Sequence, residues 1–134
     1  MITFVTMANQ NPTDLEFATV FKDKNGIIII TMKDYRRLDQ YDVININLAI
    51  RHKTGLTPAL KLLDARASWS MDKKAKERAK IETSASVTKA RAIVVSNSIK
   101  AALFKFLQSF AKQGYPQEIF SDWNEAYAWL LKQK

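Results

Sequence analysis

Asp64 and Arg66 stand two residues apart at the end of an apolar run, with Ser68, Trp69 and Ser70 directly behind them. A carboxylate and a guanidinium at that spacing can grip a polar ligand together, or close on each other as a charge-assisted pair. Ser96 and Asn97 end a second apolar run, and in open α/β sheets ligands gather beyond the carboxyl ends of neighbouring strands. Asp64, Arg66, Ser68, Ser96 and Asn97 are therefore candidate binding residues on one sheet edge, with Ser70 beside them and Trp69 as an aromatic anchor for a partner. The competing reading is that they cap helices and pair with one another.

Other chemistries find few residues to run on. His52 is the only histidine and sits in Arg51-His52-Lys53 before Gly55, where it suits the carbonyl end of a helix better than a metal between two cations. There is no cysteine, which removes disulfides, thiol nucleophiles and iron–sulfur ligation. The three glycines, Gly26, Gly55 and Gly114, each fit a turn or a helix end, leaving none for a phosphate cradle. Asp34, Asp39 and Asp42 fall along one segment without the spacing of a metal loop. No cofactor, no metal and no catalytic residue is expected.

Charge adds one further candidate. Residues 51–112 carry 14 Lys and Arg against 4 Asp and Glu, and Lys73, Lys74, Lys76, Arg78 and Lys80 cluster on one predicted helix. Such a face attracts nucleic acid or an anionic membrane with little specificity, or is simply solvated.

The elements that must position these residues follow from periodicity and end signals. Residues 1–14 are read as a poorly ordered extension with no secretory leader, and 15–134 as one domain, expected in the cytoplasm. Glu16–Lys22 and Ile27–Thr31 flank Lys24-Asn25-Gly26 and predict a β-hairpin. Thr31 with Asp34 has capping-box spacing, so Met32–Lys53 reads as a helix ended by Gly55, although Ile44, Ile46 and Leu48 alternate locally as in a strand. Ala59–Asp64 reads as a buried parallel strand, and Ser70 with Asp72 opens a thinly apolar, exposed helix to about Thr88. Ala92–Ser96 is a further strand, after which Asn97 or Ser98 caps a strongly apolar helix, 98–113, containing Leu103, Phe104, Phe106, Leu107 and Phe110. Glu118–Ser121 is the last strand, and Asp122 with Glu125 caps a final helix through Leu131. The expected fold is α/β, a small mostly parallel sheet of about five strands with an N-terminal β-hairpin and four helices.

That order, with Leu60-Lys-Leu-Leu-Asp64, Ala92-Ile-Val-Val-Ser96 and Ile119-Phe120-Ser121 before Asn124-Glu-Ala-Tyr-Ala-Trp-Leu130, resembles the STAS family of anti-sigma factor antagonists and its SpoIIAA-like relatives. The resemblance spans roughly residues 15–132. It implies a binding protein: a switch, a transporter regulator or, in the lipid-transfer branch, an apolar-ligand carrier. In signalling members a phosphorylated Ser or Thr follows the third strand in an Asp-Ser-Ser-Gly-like motif. Asp64 matches the leading acid, but Ala65-Arg66-Ala67 follows, so acceptor and glycine are both missing, and only Ser68 and Ser70 stand nearby as substitutes or as helix caps.

The expected function is a non-catalytic STAS-like interaction or regulatory module. Its partner is expected to be another protein, with a homodimer through helix 98–113 as one form. A small apolar or anionic ligand at the strand-end edge is the alternative, and anion binding through the basic helix a weaker one.

Overall fold

The computed structural model describes residues 12–35, 37–85, 87–99, 102 and 114–134. Its centre is a six-stranded sheet, β1 (Thr13–Asp14), β2 (Ala18–Lys22), β3 (Ile28–Met32), β4 (Ala59–Asp64), β5 (Thr88–Val94) and β6 (Gln117–Phe120), laid side by side in chain order. β1, β2 and β3 pair antiparallel, and β3 to β6 run parallel. Three α-helices accompany it among the described residues: α1 (Gln40–Thr54), α2 (Lys73–Ala85) and α3 (Trp123–Leu131). The mixed α/β architecture expected from the sequence is present, with one strand more than expected. Thr13 and Asp14, read as part of the extension, already belong to the sheet.

Alternation along the strands divides the core between two faces. Ile27, Leu60, Leu62, Ala90, Ala92 and Val94 form one cluster, closed by Ala126 and Leu130 of α3. On the other face Val20, Ile28 and Ile30 meet Ala49 and Ile50 of α1. α2 lies against α1 and is the outer layer. The helical period settles the local conflict in α1, because Val43, Ala49 and Ile50 turn inward while Leu48 is exposed.

Two boundaries depart from expectation for identifiable reasons. Thr31 pairs with Asp64 across the β3/β4 ladder, so it cannot open a helix. The capping box belongs instead to Asp39 and Asp42: Asp42 N–H donates to Asp39 Oδ1 at 2.9 Å, and Asp39 N–H donates to Asp42 Oδ2 at 2.9 Å. Residues 33–35 and 37–39 are thereby a loop on the strand-end edge, and α1 starts at Gln40. β5 covers Thr88–Val94 rather than 92–96, and Asn97 enters a single 3₁₀ turn, Asn97–Ile99. The rest of the helix expected at 98–113 falls almost wholly outside the described residues, and with it the homodimer surface read there.

The β2–β3 turn is held by Asp23, whose Oδ1 accepts from the backbone of Asn25 and of Ile27, both at 2.9 Å. Its other oxygen accepts from the Tyr127 hydroxyl, which itself accepts from Asn25 Nδ2 at 2.7 Å, tying the hairpin to α3. Gly26 completes the turn at φ 80°, and a methyl group there would meet no atom within 4 Å. Gly26→Ala is therefore expected to cost about 1 kcal/mol through backbone strain alone. Chemical denaturation should show the loss with an unchanged m-value.

Candidate functional site

The carboxyl ends of β3, β4, β5 and β6 present residues 33–35, 37–39, 65–72 and 95–98 and the β6–α3 junction along one edge. Residues 33–35 and 37–39 run beside 65–72. Asp34 Oδ1 accepts from Ser68 N–H at 2.8 Å, Tyr35 N–H donates to the Ser68 carbonyl at 2.9 Å, and Leu38 N–H donates to the Ser70 carbonyl at 2.8 Å. The return bond from Asp72 N–H to the Leu38 carbonyl at 3.0 Å leads directly into α2, where Asp72 Oδ1 accepts from Ala75 N–H at 2.8 Å.

Asp64 and Arg66 close on each other. Arg66 Nε donates to Asp64 Oδ1 at 2.9 Å and Nη2 to Oδ2 at 2.7 Å, a bidentate fork on a carboxylate that is only 8% exposed. The hydrogen bond that Arg66 donates to Asp64, with further support from the charges of Asp64 and Asp122, holds the guanidinium pKa above its ordinary value against the opposing effect of burial. Arg66→Ala should cost about 1 to 2 kcal/mol by leaving Asp64 unpaired, screened because Arg66 is half exposed. A double-mutant cycle with Asp64→Ala is the check, and additive losses would show that the pair contributes nothing.

Trp69 is half-buried, packed on the cluster of Phe17, Leu38, Ile93 and Val95, with its Nε1 donating to the Ala65 carbonyl at 3.3 Å. Ser68, Ser70 and Asn97 are exposed, and Ser96 shares a 3.1 Å hydroxyl contact with Ser98. The seven candidates thus line one edge, as a rim whose opposite charges are already matched. On α2, Lys73, Lys74 and Lys76 are exposed, whereas Lys80 is half-buried and half-buried Arg78 pairs with Glu82 at 3.2 Å. The free basic footprint is therefore one turn of helix rather than its whole length.

A second constellation escaped sequence reasoning. Lys61, Arg91 and Gln117 are direct partners across β4, β5 and β6, so their side chains stand in a row on the α1 side of the sheet. Arg91 Nε donates to Gln117 Oε1 at 2.6 Å. Lys61 is 6% exposed, and burial, then the charges of Arg91 and Arg51, bring its pKa down to about 8. Burial also lowers the Arg91 pKa. The signal was present as a lysine in the middle of Leu60-Lys-Leu, a strand otherwise read as buried.

With this geometry in place, the comparisons with known proteins fix the class. A crystal structure of an uncharacterized protein of the DUF3478 family from Shewanella loihica PV-4, with a SpoIIAA-like fold, superposes with a TM-score of 0.65 at 15% identity, covering 88% of this chain and 97% of that one. The fold is SpoIIAA-like. The chain belongs to the family of a domain of unknown function, DUF7793, whose model matches residues 21–134. No curated protein matches it. Among the described residues no helix is long and apolar enough to cross a membrane.

Proposed function

We propose that this chain is a non-catalytic STAS-like module that binds another protein through the strand-end rim, in a reducing, cytoplasmic setting that its cysteine-free composition permits. The strand order carries this reading. Ligand crevices in open α/β sheets form where strand order reverses, and β1 to β6 follow one another without reversal. Among the described residues, the Asp64–Arg66 fork and the packed Trp69 occupy part of this edge, which supports a surface that meets a protein partner. Ala65-Arg66-Ala67 stands where the resemblance to STAS signalling members would place the phosphoacceptor, so the proposed interaction does not rely on a phosphate at that position.

The test begins with the purified chain as bait in an extract of its source organism, followed by a binary affinity measurement on the recovered partner. Ser68→Glu and Asn97→Glu, both at exposed positions, are expected to weaken binding at least about tenfold. Unchanged affinity would move the interface away from this rim. A chain that recovers no stoichiometric partner and stays monomeric over a wide concentration range in sedimentation would overturn the proposal.

A further inference from the structure

Between α1, β4 and α2 lies a cleft of about 30 Å³, lined by Arg51, Thr54, Lys61 and Glu82 among others. Lys61 reaches into it from the middle of the sheet while 6% exposed, with no hydrogen-bond or ion-pair acceptor among the described residues. Glu82, the carboxylate on the lining, is engaged by Arg78. Beyond Lys61 in the same row stands Arg91, and the Tyr115 hydroxyl within its electrostatic reach is buried without a hydrogen-bond partner. A buried ammonium ordinarily has a counter-charge, because an unpaired one is strongly disfavoured. Here the charges that shift its titration are those of two more cations, Arg91 and Arg51.

We infer that this cleft is a binding site for the carboxylate group of a small molecule, with Lys61 as the charged donor at its floor, Arg51 at its mouth and Arg91 reinforcing the positive field. Size selects within the oxyanions. The cleft is small, about 30 Å³ against the roughly 10 to 15 Å³ that one water requires, which favours a flat two-oxygen carboxylate over a tetrahedral phosphate. The site lies under α1, apart from the strand-end rim, and does not depend on the interaction reading.

The test uses the full chain at neutral pH with acetate, inorganic phosphate and chloride compared at equal ionic strength, read by thermal unfolding and by calorimetric titration. Acetate is expected to raise the unfolding midpoint above its value in chloride and to bind saturably, with phosphate indistinguishable from chloride. Lys61→Met, which keeps length and packing, is expected to weaken acetate binding about tenfold or more. Arg51→Met, at an exposed position that does not threaten folding, should weaken it by a smaller factor. Acetate indistinguishable from chloride, an acetate effect unchanged in both variants, or a preference for phosphate would each overturn the assignment.

Discussion

Lys61→Met is expected to stabilise the protein by about 2 to 3 kcal/mol at neutral pH and to flatten its stability profile on the alkaline side. In the unfolded chain the lysine titrates near 10.5, and in the fold near 8, chiefly because burial disfavours the ammonium. Between those values the folded protein binds fewer protons than the unfolded one, so stability climbs as pH rises from about 8 to about 10.5. Below pH 8 both states carry the proton and the full penalty applies, at most about 3 kcal/mol for that gap. Lys53, whose pKa burial also lowers, contributes in the same direction and is common to both proteins, so the difference between them isolates Lys61. Urea unfolding of the two at pH 7 and pH 10 is decisive. A difference that fails to shrink toward pH 10 would show that the ammonium is not desolvated in the fold.

The largest loss is expected from Leu62→Ala, at about 3 to 4 kcal/mol, out of the roughly 5 to 15 kcal/mol that a domain of this size has in total. Leu62 is fully buried in β4, inside the cluster that α3 covers with Ala126 and Leu130, and its strand is bonded on both sides by β3 and β5. Leu56→Ala is the matched control: that side chain is 89% exposed, and its loss should stay within about 0.5 kcal/mol. Denaturation midpoints measured side by side would expose an error if the two variants proved alike.

Local signals in the sequence were reliable at several element ends whose deciding partners were close along the chain. Ala59–Asp64 is a strand with the predicted ends, Asp122 accepts from Glu125 N–H at the start of α3, and Asn25-Gly26 lies in the β2–β3 turn. Errors arose where a distant partner took a residue that local spacing had assigned. Thr31 and Asp34 have the spacing of a capping box, but Asp64 lies beside Thr31 in the ladder and Ser68 N–H donates to Asp34. The strand-end candidates do share an edge, which the alternation of strands and helices implied, yet the fork that Arg66 makes on Asp64 was one of two outcomes their spacing allowed. The Lys61 row was the hardest to foresee. It exists because three strands align in one register, and a single sequence gives each strand without its offset from the next.

The unbroken strand order also bears on how the chain is made. As it leaves the ribosome, each strand from β2 onward finds its neighbour already synthesised, so the sheet can grow from one side in the direction of translation. The bond between Tyr127 and Asp23, 104 residues apart, must wait until α3 emerges. It works as a latch, joining the last helix to the first full hairpin once everything between them is in place.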